Sequence, residues 1–219
     1  NRFNTKIISL LLSSDRLKKE QFSSGEAFIS KLQSVLRGHN ELYIEVFLEK
    51  INESSQSLLL ALFTFNGKCS ILRLKEMWEL YQKDIGMNIT EKEWSFSLKE
   101  LEWTFTITNI SQINSEIKSD ISFIDPFIAD FFKKYLQENE DVYKRLINLS
   151  SNWAQVTYLY SAFQSNNSSV KKCIFKKYST VNDSNEWDKL LWLIQNQICV
   201  NNFVVQELNK MESYIVSLH

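Results

Sequence analysis

Few side chains in this sequence have the types and spacing that catalysis requires. The two histidines, His39 and His219, lie in a predicted turn and at the end of the sequence, without the spacing of a metal site. The carboxylates of Glu138, Glu140 and Asp141 lie where a helix is expected to begin, and there they compensate the helix dipole. The phosphate-binding pattern GxxxxGK followed by Ser or Thr is absent. The residues therefore predict a non-catalytic chain with no metal and no cofactor of its own.

The only proline, Pro126, stands in the stretch FIDPFIADFF. Apolar residues alternate before it and follow helical spacing after it, so the stretch predicts a strand that turns sharply into a helix. Asp125 is predicted to be the N-cap and Pro126 the first helical residue, because proline lacks the N–H that would be unpaired there. The helix is expected to run to about Leu136, with Phe123 and Phe131 buried.

A basic cluster occurs in the stretch KKCIFKK, and its members are Lys171, Lys172, Lys176 and Lys177. At helical spacing these lysines lie on roughly one face, which is either a solvated surface or a site for an acidic or nucleic-acid partner. The net charge of -1 and the pI of about 6.2 imply neither nucleic acid nor an anionic membrane as a partner. We therefore expect no membrane association, and nucleic acid is a disfavoured partner.

The elements that position these residues are expected to be mainly helical. Four glycines and one proline supply few turn formers, and 44% hydrophobic residues are enough for a core. The three cysteines, Cys69, Cys173 and Cys199, are unclustered, as in a reduced compartment. The apolar run IISLLL is too short for a membrane span, and no targeting segment is visible. These features predict a cytoplasmic, mainly α protein.

Three regions are predicted. Residues 1–51 form a helical segment, and residues 138–219 form an α-helical domain of paired helices. Between them, residues 52–137 predict three helices followed by a β-hairpin, which is the order of a winged-helix domain. The first helix starts at a serine cap and ends at Gly67, and the third starts with a Thr90 capping box. The hairpin strands TFTITNI and DISFI are joined by a predicted turn over SQINSEIKS.

These motifs together resemble the C-terminal part of bacterial novel STAND NTPases of the third class, signalling ATPases related to NACHT and NLR proteins. The strand-to-helix stretch of that class reads approximately Phe-x-Asn-Pro-Ser-x-x-Asp-Phe. The residues that match in position are Phe123, Asp125, Pro126, Asp130 and Phe131. Asp125 replaces the usual Asn or His, and Phe127 replaces Ser. The likeness covers about 47–161, including an aromatic-x-Gln-Val element at Trp153, Gln155 and Val156.

The resemblance implies a regulatory fragment of a larger ATPase. Residues 1–51 would be the end of the ATPase lid, followed by the winged helix and the start of a sensor region. The upstream ATPase domain would bind ATP and ADP, and the parent protein would be capable of oligomerisation. The C-terminal helices would bind a protein partner or a phage-derived trigger in bacterial anti-phage defence.

In that superfamily the residue at the place of Asp125 is often a histidine that contacts the nucleotide phosphate. An ionised carboxylate cannot donate to phosphate and would repel it. The resemblance therefore leaves two roles open for Asp125, as a nucleotide sensor or as a helix cap alone.

Two other function classes remain open. One is a winged-helix DNA-binding regulator, and the other is a helical protein-interaction scaffold. The predicted third helix, TEKEWSFSLKELEW, has four glutamates against two lysines, whereas phosphate contact needs Lys and Arg. This composition disfavours DNA binding through the winged helix.

Overall fold

The computed structural model describes residues 24–30, 43–44, 46–113, 116–163, 168–178 and 186–198. The protein is mainly helical with a small three-stranded antiparallel sheet, which confirms the predicted class. The chain divides into two compact units, which are Asn1–Glu140 and Asp141–His219. Most of the predicted helical segment 1–51 lies outside the described residues, although a π-helical turn spans Val46–Lys50. In the described part of the chain, every helix is too short or too polar to cross a membrane.

From residue 53 onward, the first unit contains four helices and the sheet. In chain order its elements are α1 (Glu53–Thr64), β1 (Lys68–Ser70), α2 (Ile71–Asp84), α3 (Glu91–Leu101), β2 (Thr106–Ile113), β3 (Glu116–Phe123) and α4 (Phe127–Glu138). The strand order in the sheet is β1-β3-β2, and both pairings are antiparallel. The central strand β3 therefore joins the hairpin to the strand that follows α1.

Helix α1 lies at the centre of the unit and contacts α2, α3 and α4. Its apolar run is buried on every side, and its members are Leu58, Leu59, Leu60, Ala61, Leu62 and Phe63. An apolar helix that is buried all round needs neighbours on every side to cover it. The amphipathic helices α2, α3 and α4 supply that cover, so α1 organises the core.

Polar caps fix where these helices begin. The side chain of Asn52 accepts a hydrogen bond from the Ser55 N–H at 2.7 Å, so α1 is capped by asparagine and not by the predicted serine. The hydroxyl of Thr90 accepts from the Glu93 N–H at 3.1 Å, as the capping-box pattern predicts for α3. The predicted helices therefore exist, and the start of α1 differs by its cap residue.

The sheet differs from the prediction in two respects. The hairpin strands extend through most of SQINSEIKS, which was predicted as a turn, and Ile113 pairs with Glu116 at the tip. The additional strand β1 pairs with β3 through Cys69 and Ile121. A strand of three residues is too short to show alternation in the sequence, which is why the pattern did not predict it.

The described part of the second unit consists of helices. They are α5 (Glu140–Leu149), α6 (Trp153–Phe163), α7 (Ser168–Tyr178) and α8 (Glu186–Gln195). Aromatic edge-to-face contacts join three of these helices. Trp153 of α6 contacts Trp192 of α8 at 5.5 Å and Tyr178 of α7 at 6.3 Å between ring centroids. Besides these rings, the core of the unit contains buried aliphatic residues, such as Leu146, Leu159 and Ile174.

Candidate functional site

The strand-to-helix corner, residues 123–131, connects β3 to α4. The Asp125 carboxylate accepts a hydrogen bond from the Phe127 N–H at 2.9 Å, and its carbonyl accepts from the Ile128 N–H at 3.1 Å. The bond from the Phe127 N–H to the Asp125 side chain is therefore present, but the prediction that Asp125 is the N-cap residue is wrong, because Pro126 occupies that position of α4 without a side-chain cap bond. The predicted boundaries are displaced, because α4 begins at Phe127 and not at Pro126, and it ends at Glu138 and not near Leu136. Pro126 precedes the helix with helical backbone angles, φ -60° and ψ -26°.

The second carboxylate oxygen of Asp125 accepts a hydrogen bond from the Tyr43 hydroxyl at 3.4 Å. Tyr43 is 3% exposed, and its ring contacts Phe105 and Phe131. Burial raises the pKa of Tyr43, and the negative charge of Asp125 raises it further, so the hydroxyl remains a donor. Asp125 thus links the start of α4 to a residue that precedes α1 by ten positions.

The aromatic residues of the corner differ in their burial. Phe131 is fully buried, as predicted, and its ring lies 5.4 Å from that of Phe47. The prediction that Phe123 is buried is wrong, because this ring is partly exposed. It stacks on Phe132 at 5.8 Å and covers Gly67, whose φ of +74° places it in the left-handed region. Phe123 therefore closes the edge of the core without entering it.

Gly67 allows this close approach. The Phe123 N–H donates to the Gly67 carbonyl oxygen at 2.9 Å, which joins the end of β3 to the loop after α1. A Cβ atom at position 67 would lie 2.5 Å from Cδ2 of Phe123. Both the backbone angle and the ring contact therefore require glycine here.

Two residues of the motif lie at the surface. Pro126 and Asp130 are exposed, and the Asp130 carboxylate lies 2.9 Å from Nζ of Lys133 one turn later. An exposed pair of this kind contributes little to stability. Of the five matched residues, Phe131 is therefore buried, Phe123 and Asp125 are half-buried, and Pro126 and Asp130 are exposed.

The corner has the chemistry of a helix cap. Both carboxylate oxygens of Asp125 have donors, one from the backbone and one from Tyr43. An ionised carboxylate repels phosphate, so a nucleotide near position 125 would meet a negative charge.

The predicted basic cluster lies on α7, and its lysines differ in orientation. Lys172 and Lys176 are exposed, whereas Lys171 and Lys177 are half-buried. Nζ of Lys177 donates to the Asn148 carbonyl oxygen at 2.6 Å in the last turn of α5. Burial lowers the pKa of Lys177. The prediction that the four lysines share one face therefore needs correction, because Lys177 faces α5.

The aromatic-x-Gln-Val element has a structural role at the start of α6. The Gln155 side chain accepts from the Ser151 N–H at 2.9 Å and the Asn152 N–H at 3.3 Å. In return, the Asn152 side chain accepts from the Gln155 N–H at 3.0 Å. This is a reciprocal capping box, with Trp153 and Val156 buried beside it. The spacing of Asn152 and Gln155 is the signal from which this cap was predictable.

The remaining candidates form no reactive group in the described part of the chain. Both histidines, His39 and His219, lie outside the described residues. Glu138 ends α4, while Glu140 and Asp141 open α5. Among the residues that the structure describes, no group of three or more His, Cys, Asp or Glu side chains is placed to hold a metal ion.

Comparisons of this chain with protein-family models, with curated proteins and with solved structures found no match in any of the three.

Proposed function

We propose that this chain is the non-catalytic regulatory part of a STAND-type signalling ATPase in bacterial anti-phage defence. A winged-helix domain would couple the nucleotide state of an upstream ATPase domain to a C-terminal helical sensor. The sensor would meet a protein partner or a phage-derived trigger. The ATP and ADP would be held by the parent protein and not by this chain.

The order of elements in the first unit supports the winged-helix part of this proposal. A helix, a short strand, two helices and a hairpin follow one another, and the sheet order is β1-β3-β2. This order of elements is the one expected of a winged helix and supports that part of the proposal. Directly after the hairpin, Asp125 and Pro126 lead into α4, which agrees with the strand-to-helix order of the resembled motif.

The link between Asp125 and Tyr43 is the observation that carries the coupling role. Tyr43 and Phe47 precede α1, on the side of the chain where the ATPase domain is expected. Tyr43 is tied to the corner by its hydroxyl, and Phe47 by ring contacts with Phe131 at 5.4 Å and Phe132 at 5.3 Å. A displacement of this segment would therefore move the start of α4, because packed rings transmit displacement and do not absorb it.

DNA binding through α3 has less support. The first turn of α3 contains Glu91 and Glu93, and Glu91 forms an ion pair with Lys75 of α2. A recognition helix needs basic side chains at its N-terminal turn to reach phosphates and base edges. The first turn of α3 is acidic instead, so it would repel the phosphates of DNA.

The test compares nucleotide binding by the isolated chain and by a longer natural protein that carries this chain. Calorimetry should detect ADP binding to the longer protein alone, because tight phosphate binding needs a cradle of backbone N–H groups. The isolated chain should show no ATP turnover. Turnover by the isolated chain that disappears when one of its own residues is mutated would contradict the proposal.

A further inference from the structure

A long stretch of this chain has basic residues and no acidic ones. Between Asp141 and Asp183 there is neither Asp nor Glu. The basic residues in this interval are Lys144, Arg145, Lys171, Lys172, Lys176 and Lys177. All of them lie on α5 or α7. The positive charge of the second unit is therefore concentrated on two helices.

These two helices contact each other along one seam. The Cys173 sulfur of α7 lies 3.2 Å from the Asn148 side-chain oxygen and 3.7 Å from the Lys144 carbonyl oxygen of α5. One turn later, Lys177 donates to the Asn148 carbonyl oxygen at 2.6 Å. The turn 144–148 thus runs beside the turn 173–177.

These contacts bring basic residues of both helices to the neighbourhood of Cys173. Burial raises the pKa of this thiol, while the positive charges of Lys144, Lys176 and Lys177 each act to lower it. Ammonium groups affect a thiol in this way only when they are near it. Lys172 extends the same row, because it precedes Lys176 by one helical turn.

We propose that the basic face, defined as Lys144, Lys172 and Lys176, binds the phosphate backbone of nucleic acid without sequence preference. This activity goes beyond the proposed coupling role and does not depend on it. Lysine ammonium groups are point charges that suit phosphate oxygens. Lys172 and Lys176 are about 6 Å apart along the helix axis. That spacing is close to the rise of two nucleotides in one strand, at about 3.4 Å each.

Nucleic acid fits this face better than an acidic protein does. Protein interfaces set register and exclude wrong partners with charges of both signs. No carboxylate interrupts the stretch from which the basic face is built. The lysines of α7 stand on a helix that contains no carboxylate, and such a row suits a partner that is negative along its length, which is the property of a nucleic-acid backbone.

The test uses the full chain and a fluorescein-labelled 20-base-pair DNA duplex, with anisotropy measured from 50 to 200 mM NaCl. The unaltered chain should bind weakly and lose affinity steeply with salt. Lys172→Gln with Lys176→Gln should lower the affinity about tenfold at 50 mM NaCl, and reduce the slope of log affinity against log salt by about 2. Lys172→Arg with Lys176→Arg should keep the binding.

The matched control is Lys92→Gln with Lys99→Gln on α3, where both lysines are also exposed. This pair should leave DNA affinity unchanged. Equal losses from the two glutamine pairs, or no loss from the α7 pair, would overturn the proposal. Displacement of the duplex by polyglutamate at equal charge concentration would also overturn it, in favour of an acidic protein partner. Circular dichroism melting checks that each variant is folded.

Discussion

The two units of this protein differ in charge and in how their elements are held. Asn1–Glu140 contains 17 Lys and Arg against 20 Asp and Glu, whereas Asp141–His219 contains eight against six, so their net charges have opposite signs. The first unit is stabilised by a sheet and by a buried central helix. In the described part of the second unit, helices pack through a few tryptophan and tyrosine rings. The difference is that a sheet joins distant segments of the first unit, whereas the described part of the second unit consists of helices alone.

The largest expected effect concerns the aromatic core of the first unit. Phe131→Ala should lower the free energy of unfolding by about 3–5 kcal/mol, because it removes a fully buried ring. Phe127→Ala is the control in the same helix, since its ring is 47% exposed. Hydrogen exchange read by mass spectrometry should show faster exchange in α1 and α4, with α6 to α8 unchanged. Equal acceleration in both units would mean that they do not unfold separately.

The next effect concerns the loop that meets the corner. Gly67→Ala should cost about 1–3 kcal/mol more than Gly86→Ala, because of overpacking against Phe123. Both glycines have φ near +75°, but an added Cβ at position 86 meets nothing within 4 Å. Gly86→Ala therefore measures the backbone cost alone, and denaturant unfolding gives the difference. Equal costs would show that Phe123 moves aside freely.

A corresponding test in the second unit concerns the cap of α6. Gln155→Ala removes the acceptor for the Ser151 and Asn152 N–H groups and should cost about 1–3 kcal/mol. The exposed Gln137 of α4 gives the control variant, Gln137→Ala. Exchange should become faster at the start of α6 and stay constant in the first unit. A loss of stability smaller than that of Gln137→Ala would show that this cap does not stabilise the second unit.

The smallest effect concerns the corner itself. Asp125→Ala should cost about 0.5–2 kcal/mol, as for a typical N-cap. Asp125→Asn should be nearly neutral, because its amide oxygen caps Phe127 and its amide nitrogen is able to donate to the Tyr43 oxygen. Thermal melting of both variants measures this. A large and equal loss from both would show that the carboxylate charge itself holds the corner.

The sequence predicted the features that depend on local spacing. The helices α1 to α4, the Thr90 cap and the bond between Asp125 and the Phe127 N–H follow from apolar periodicity and from the polar residues that precede helices. It did not predict the contact between Tyr43 and Asp125, because 82 positions separate them and nothing local marks the pair. Strand β1 was missed for a similar reason, since its only partner is β3.

In the candidate sites too, local features were predictable from the sequence and long-range contacts were not. The corner was predictable from one proline and its neighbours, whereas the partial exposure of Phe123 depends on Gly67, a loop residue 56 positions earlier. The lysines of α7 were visible in the sequence. Only the packing of α5 against α7 shows that Lys177 faces α5 and that Lys144 lies near the lysines of α7.

The most direct test of the coupling role is the ADP affinity of a longer natural protein that carries this chain, measured by calorimetry with Asp125 and with Asp125→Asn. If position 125 is the nucleotide sensor of the coupling proposed here, ADP should bind the Asn variant more tightly, because the change removes a negative charge and adds an amide donor. The melting temperature of the isolated chain should stay the same. An unchanged ADP affinity in the longer protein would contradict the sensor role, and position 125 would then be a helix cap alone.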